Sequence, residues 1–325
     1  MKKNIEVIGH RGVRSEEPDN TLPAFQKSLT YEIDYIDIDV VLTKDKVLLA
    51  YHDFFINPDI LCYTNDDDIY FNKDNFLRDI DSFALNQVLI KNLYFDDIVN
   101  KYCVRLNKNS LYFGYFSNQK QHHKLKLSSL QDIVSLVGQE TNQVMKYQIE
   151  VKSDLINPSR CYSYEVMTES IYKFIIKNNL INKVKVQSFD WRILYLLNLK
   201  NKDIKTAYLF NRNTVYFWQN WFNNSEIVAI ADLLKIKKTS FVNELFPLIK
   251  YLGAYSFEIE DNILELNHVL KAKEIGLKVY TWPLPESTNI SYDENLMKKI
   301  ISYEVNGIIT DYPKQVLNLL SNIDF

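Results

Sequence analysis

The sequence predicts an α/β fold closed into a barrel, and three observations carry that expectation. Short apolar runs alternate with longer segments of helical period, the pattern of βα units feeding a parallel sheet. Eight such runs can be counted. The length of 325 residues suits one large barrel, since α/β barrels run to about 250 residues and beyond as a single unit.

In chain order the runs are 5–9, 35–41, 146–151, 183–187, 204–209, 254–258, 277–281 and 307–309. Amphipathic segments 20–31, 162–178, 264–275 and 293–303 separate them. Asn20 or Thr21 is expected to cap the first helix and Ser128 the next, and Gly276 to end the segment before the seventh run. Two stretches break the rhythm. Residues 53–124 hold more chain than one crossover needs, with an acidic run at Asp66-Asp67-Asp68 and a basic end at Lys120-Gln121-His122-His123-Lys124. They read as an insertion above the barrel mouth, on the face where loops usually carry function. Residues 211–224 crowd Tyr216, Phe217, Trp218, Trp221 and Phe222 together. Such aromatics suit a helix packed on the barrel, the alternative being an apolar lining for a substrate group.

Composition excludes several classes. The 38 Lys and Arg against 41 Asp and Glu leave a net charge of -3, which gives no electrostatic footprint for nucleic acid. At 46% hydrophobic residues the chain can build an ordinary core and is not disordered. Its longest apolar stretches, such as 227–231, fall far short of the roughly 18–20 residues a bilayer crossing needs, so no membrane span is expected. Met1-Lys2-Lys3 resembles the start of a secretion signal, but charged residues and a histidine interrupt 4–14 where an apolar run should follow. Cys62, Cys103 and Cys161 are odd in number, match no zinc or disulfide pattern, and suit a reducing compartment. The expected location is cytoplasmic.

Chemistry gathers at the ends of the runs. The first ends in Gly9-His10-Arg11-Gly12, a titratable imidazole beside a permanent cation, with glycines that permit close backbone approach. In the second, strand periodicity sends Asp37 and Asp39 to one face while Ile36, Ile38 and Val40 point outward to helices. Two inward carboxylates need a cation, either a metal or a Lys or Arg side chain. Glu150 and Lys152 repeat the arrangement at the end of the third run. Three oxygen ligands without cysteine suit Mg²⁺ or Ca²⁺ better than zinc. His52 in Tyr51-His52-Asp53 could stand opposite His10, giving an acid and a base across a phosphate. His122, His123 and His268 lack such neighbours and are expected at the surface.

Together these pieces resemble the glycerophosphodiester phosphodiesterase family over most of the chain. The matching motifs are His10-Arg11-Gly12, Glu17-Pro18-Asp19-Asn20-Thr21, Asp37-Ile38-Asp39-Val40, Thr43-Lys44-Asp45, His52-Asp53, Glu150-Val151-Lys152, Gln187-Ser188-Phe189-Asp190, Thr281-Trp282 and Asn306-Gly307-Ile308-Ile309-Thr310-Asp311-Tyr312-Pro313. The resemblance implies a TIM (β/α)8 barrel, one domain spanning 1–325, with a subdomain at 59–122 inserted after the second strand. It also implies that small glycerophosphodiesters are hydrolysed to glycerol phosphate and an alcohol with the help of Mg²⁺ or Ca²⁺. Carried over by position, Asp37, Asp39 and Glu150 become metal ligands and His10 and His52 the acid and base. Arg11 and Lys152 then hold the phosphate, and Trp282 packs against glycerol.

The sequence departs from the family pattern where glutamate is usual at position 37 and before Asn20-Thr21, and Pro283 fixes φ after Trp282. Left open are the division of labour between the histidines, attack by water or by a glycerol hydroxyl, the head group and the oligomeric state. Two other readings are a phospholipid-acting phosphodiesterase on a related barrel and a degenerate barrel that binds phosphodiesters without cleaving them.

Overall fold

A computed structural model of the chain describes residues 5–64, 88–140, 145–214, 222, 226–236, 242–283 and 292–322. Its strands are β1 (Glu6–Gly9), β2 (Tyr35–Leu42), β3 (Leu48–Ala50), β4 (Leu61–Tyr63), β5 (Tyr102–Val104), β6 (Lys146–Val151), β7 (Val184–Ser188), β8 (Lys205–Phe210), β9 (Ser256–Glu260), β10 (Lys278–Trp282) and β11 (Gly307–Thr310). Each of the eight predicted runs is a strand, displaced by two residues at most. The barrel closes because β1 pairs in parallel with both β2 and β11, while β3 adds antiparallel to β2.

Parallel strands covered by helices are buried on both faces, and all eight residues of β2 are buried. Ile36, Ile38 and Val40 join the main core with Phe25, Leu130 and Ile133 of the surrounding helices. Asp37 and Asp39 therefore point inward, as their parity requires. In the parallel register Asp39 lies opposite Glu150, and Glu150 opposite Gln187, so polar groups of neighbouring strands stack at the C-terminal ends. Deeper in the barrel, fully buried Lys185 holds Glu258 at 2.7 Å beneath the Tyr280 ring, 3.5 Å from its centroid. A buried lysine is tolerated only with such a partner.

The helices are α1 (Leu22–Ser28), α2 (Phe95–Lys101), α3 (Leu111–Tyr115), α4 (Leu130–Glu140), α5 (Tyr164–Lys177), α6 (Trp191–Lys200), α7 (Glu226–Leu233), α8 (Phe246–Tyr251), α9 (Leu266–Glu274), α10 (Glu294–Ser302) and α11 (Pro313–Asn322). Their caps differ from expectation. Thr21 occupies the N-cap of α1, but its hydroxyl donates to the Pro18 carbonyl, and Asn20 is diverted to Asp39. Ser129, one residue later than expected, caps α4: its hydroxyl accepts from Asp132 N while Asp132 accepts from Ser129 N. His268 is buried, closing a capping box with Glu265 on α9, and is not a surface histidine. Gly276, at φ 66°, follows α9 as expected. Of the aromatic crowd at 211–224, Tyr216, Phe217, Trp218 and Trp221 lie outside the described residues. Phe222 is fully buried against Trp191, ring centroids 5.1 Å apart, as a core role predicts.

The inserted subdomain follows β2 and its antiparallel partner. β4 pairs antiparallel with β5, and Ile60, Leu61, Ile98, Tyr102 and Phe116 form a second apolar cluster with Val41, Leu49 and Tyr51. Within the expected span 59–122, residues 65–87, with the acidic run, lie outside the described residues. Cys62 and Cys103 are directly opposite in the β4–β5 register and are joined as a disulfide. This corrects the reading that no cysteines pair and removes the cysteine argument for a reducing compartment. Cys161 is free. Among the described residues no helix is long and apolar enough to cross a membrane.

Candidate active site

The loop after β1 shapes the mouth. Arg11 and Gly12 both take positive φ, 52° and 92°, reversing the chain so that the side chains of His10 and Arg11 both reach the strand ends. A Cβ on Gly12 would lie 2.8 Å from the Ala24 backbone, so glycine is required for close approach as well as for φ. A non-glycine residue held in this region costs of order 1–3 kcal/mol, and at Arg11 the surrounding polar contacts hold it there.

A cavity of about 360 Å³ opens over these ends. His10, Arg11, Asp37, His52, Glu150, Lys152 and Trp282 line it, so the fold brings together seven of the eight residues singled out in the sequence. Asp39 lies just beneath, fully buried, with Arg11 Nε 2.9 Å from its Oδ2 and Asn20 Nδ2 donating to the same oxygen at 2.9 Å. Arg11 Nε does not direct its hydrogen at a partner, and Asp39 Oδ1 is buried without one.

Each imidazole is held by a carboxylate. His10 Nδ1 lies 2.6 Å from Asp311 Oδ1, and His52 Nδ1 lies 2.7 Å from Asp53 Oδ1. Asp53 in turn accepts from Asn57 Nδ2 at 2.6 Å. A carboxylate on Nδ1 fixes that nitrogen as the donor and leaves Nε2 to accept or give a proton at the cavity. Burial pulls the His10 imidazole below its ordinary value against the opposing pull of Asp311. His52 is lowered by burial, then by Arg11 and Lys152. Burial raises Asp53, but His52, with Asn57 and Arg11, outweighs it and brings the carboxyl down to about 2, so it remains a carboxylate.

The inward carboxylates are unequal. Burial, then the charges of Asp39 and Glu150, push Asp37 well above its ordinary range. Asp39 is also pushed up by burial, but Arg11 and Lys152 overcome this and hold it well below. Glu150 is raised to about 7 by burial, against the Lys152 ammonium 2.7 Å from its Oε1. Gln187 Nε2 donates to Asp37 Oδ1 at 2.7 Å. Arg11 thus supplies a cation to the carboxylates, and its Nη1 also donates to Asp19 at 3.2 Å. Among the described residues no three His, Cys, Asp or Glu side chains are drawn into a ready-made metal-binding group.

Other residues at the site were not given roles by the sequence. Asp311 belongs to a quoted motif, and its pairing with His10 appears only when β11 closes against β1. Arg14 donates from Nε to Tyr112 Oη at 2.7 Å and stacks over the Tyr112 and Phe116 rings, at 4.9 and 4.3 Å, tying the inserted subdomain to the mouth. Asn57, Ile60, Phe189, Leu209 and Asn211 complete much of the wall. Trp282 meets Phe189 edge-on, centroids 5.7 Å apart. The arrangement can bind an anion, take a proton on one side of it and deliver one on the other.

Residues 10–315 match the model of the glycerophosphoryl diester phosphodiesterase family. A glycerophosphodiester phosphodiesterase from Caldanaerobacter subterraneus subsp. tengcongensis is 23% identical over 314 residues, 97% of each chain. Among solved structures, a glycerophosphoryl diester phosphodiesterase from Silicibacter pomeroyi aligns with a TM-score of 0.76 at 19% identity, covering 99% of this chain and 95% of that one. An Oleispira antarctica phosphodiesterase, solved with its product sn-glycerol-3-phosphate, aligns at 0.64 and 14% identity over 98% and 97% of the two chains.

Proposed function

The chain belongs to the glycerophosphoryl diester phosphodiesterase family and is a phosphoric diester hydrolase, and from that premise we propose that His10 and His52 divide acid and base work on a small glycerophosphodiester, releasing glycerol phosphate and an alcohol. The observation that carries the reading is the pair of histidines, each with Nδ1 held by a carboxylate, at one cavity that also contains Arg11 and Lys152. Arg11 and Lys152 attract the phosphodiester anion and share the charge that builds on its oxygens. One imidazole takes the proton of an attacking water and the other gives a proton to the departing alcohol oxygen, roles worth about 10²–10⁴-fold for positioned groups. Trp282 offers an apolar face to the glycerol carbons.

Asp37, Asp39 and Glu150 fit a hard divalent ion in donor chemistry. All are carboxylates, Asp37 and Glu150 are raised by burial first and by neighbouring carboxylates after it, and Asp39 Oδ1 is buried without a partner. They would hold Mg²⁺ or Ca²⁺, which when bound supplies Lewis acidity at the phosphoryl group. The product complex of the Oleispira antarctica enzyme supports glycerol phosphate as the product class. The test is release of glycerol phosphate from glycerophosphodiesters by the purified chain, before and after dialysis against a chelator. Turnover that ceases on dialysis and returns with Mg²⁺ or Ca²⁺ is expected. Turnover that survives complete metal removal rules out the ion, and no turnover of any glycerophosphodiester under either condition rules out the reaction.

A further inference from the structure

Beneath the site the barrel interior is polar, where branched apolar side chains ordinarily fill it. Gln148, Lys185, Gln187 and Glu258 are all buried there, and they form a connected line that ends on Asp37. Glu258 Oε1 lies 2.7 Å from Lys185 Nζ, and its Oε2 accepts from Gln148 Nε2 at 3.4 Å. The same Gln148 nitrogen donates to Gln187 Oε1 at 2.7 Å, and Gln187 Nε2 donates to Asp37 Oδ1 at 2.7 Å. β9 is not a neighbour of β6, nor β7 of β2, so the line crosses the barrel. Neither amide can turn. An ionised carboxylate only accepts hydrogen bonds, whereas a carboxamide has one donating and one accepting end. Glu258, with the Lys185 ammonium against it, therefore requires the NH₂ of Gln148. That group then faces the Gln187 carbonyl, and Gln187 must present its own NH₂ to Asp37. The constraint leaves a trace at Gln148, whose Oε1 is buried without a hydrogen-bond partner, a loss of roughly 1–3 kcal/mol. A turned amide would set that oxygen against the oxygens of Glu258 and Gln187, which is worse.

Resting on the reading above that Asp37 helps to hold a divalent cation, we infer that Glu258 and Gln148 are positioning residues for that carboxylate. The Lys185–Glu258 pair sets the direction of the amides, and the amides hold Asp37 in one orientation. Gln187 and Asp37 border the cavity, whereas Gln148, Lys185 and Glu258 do not, so those three reach it only through Gln187. Asp37 has a single methylene between backbone and carboxylate, and cation–oxygen distances are narrow, about 2.0–2.1 Å for Mg²⁺ and 2.3–2.6 Å for Ca²⁺. A short arm that rotates away cannot recover the distance by extending. Groups that orient a metal ligand in this way are typically worth about 10–100-fold in metal affinity.

Calorimetric titration of the full-length chain with Mg²⁺ and with Ca²⁺ tests this, with a thermal melt of each variant. Gln148→Met cuts the line at nearly constant volume and leaves the ion pair intact. The double variant Lys185→Met/Glu258→Met removes both charges together, so that neither is left buried alone, and frees the Gln148 amide to turn. Ser256→Ala is the control, because its hydroxyl donates to Glu258 Oε1 at 3.3 Å, off the line to Asp37. The expected result is affinity weakened by about 10–100-fold in Gln148→Met and in the double variant, whatever happens to the melting temperature, and unchanged in Ser256→Ala. The two disrupting variants cut the line at different points, so either decides the matter if the other fails to fold. Unchanged affinity in a folded disrupting variant would overturn the inference, as would an equal loss in Ser256→Ala. A wild type that binds neither ion, or an Asp37→Asn chain that binds as tightly as wild type, would instead overturn the cation reading beneath it.

Discussion

Asp311→Asn separates an orienting carboxylate from the rest of the site. Asp311 is fully buried, lies 2.6 Å from His10 Nδ1 through Oδ1, and has Arg14 Nη1 3.9 Å from Oδ2. An amide must place one oxygen and one NH₂ in those positions. The guanidinium favours the oxygen on its side, so the NH₂ turns to His10 and donates to Nδ1. The imidazole then carries its proton on Nε2 and cannot accept another there. Loss of a positioned acid or base costs about 10²–10⁴-fold in kcat, and the wrong tautomer should fall in that range. KM should change little, because Asp311 does not line the cavity. Folding contacts are largely preserved, since Ser15 bonds the Asp311 carbonyl, which asparagine retains. The carboxylate also raises His10 against burial, so its removal lowers His10 further and moves the limb of the kcat/KM profile that His10 sets to lower pH. The assay is glycerol phosphate release across pH with a thermal-melt control. A well-folded variant with kcat within threefold of wild type and an unmoved pH profile would refute the orienting role.

Asp261 is buried, its Oδ1 has no hydrogen-bond partner, and burial followed by the charges of Glu260 and Asp311 raises it from 3.8 to about 7. The folded chain therefore binds more protons than the unfolded one between those values, so this carboxyl's contribution to stability falls as pH rises through that window. Asp261→Asn should match wild type below pH 4 and be more stable above pH 7, by up to about 4 kcal/mol at roughly 1.36 kcal/mol per unit. Urea unfolding at pH 4 and 8 measures this, and a pH-independent difference would exclude it. At position 37, whose Oδ1 is held by Gln187 at 2.7 Å, the shorter aspartate arm predicts that calorimetric affinity for Mg²⁺ rises in Asp37→Glu and falls in Asp37→Asn. If the asparagine variant binds as tightly as wild type, residue 37 is not a ligand.

The barrel was legible because each strand is buried on both faces, which writes it into the sequence as an apolar run. The same alternation made Asp37 and Asp39 conspicuous, since carboxylates inside such a run need a reason. What stayed hidden depends on closure and register. The His10–Asp311 contact spans 301 positions and exists only because the first and last strands pair. Cys62 and Cys103 meet through the register of two three-residue strands, too short to specify their own pairing. His268 looks isolated in sequence, yet its partner is the backbone of Glu265, three residues away, and side-chain to main-chain caps are blind to residue type on the receiving side.

Arg14 shows why the inserted subdomain bears on the chemistry. Its guanidinium is buried, which by itself opposes the charge, yet Tyr112, Asp311 and Asp19 hold it above its ordinary range, and the Tyr112 and Phe116 rings cover it at 4.9 and 4.3 Å. Tyr112 and Phe116 come from the insertion, whereas Asp311 comes from the end of the last barrel strand. The cation therefore stands between the subdomain and the carboxylate that orients His10. A subdomain displaced from this position would strip Arg14 of its aromatic cover and admit water beside Asp311, weakening its hold on the imidazole. The barrel brings the charged groups of the cavity together, and the inserted subdomain covers the Arg14 cation that stands beside them.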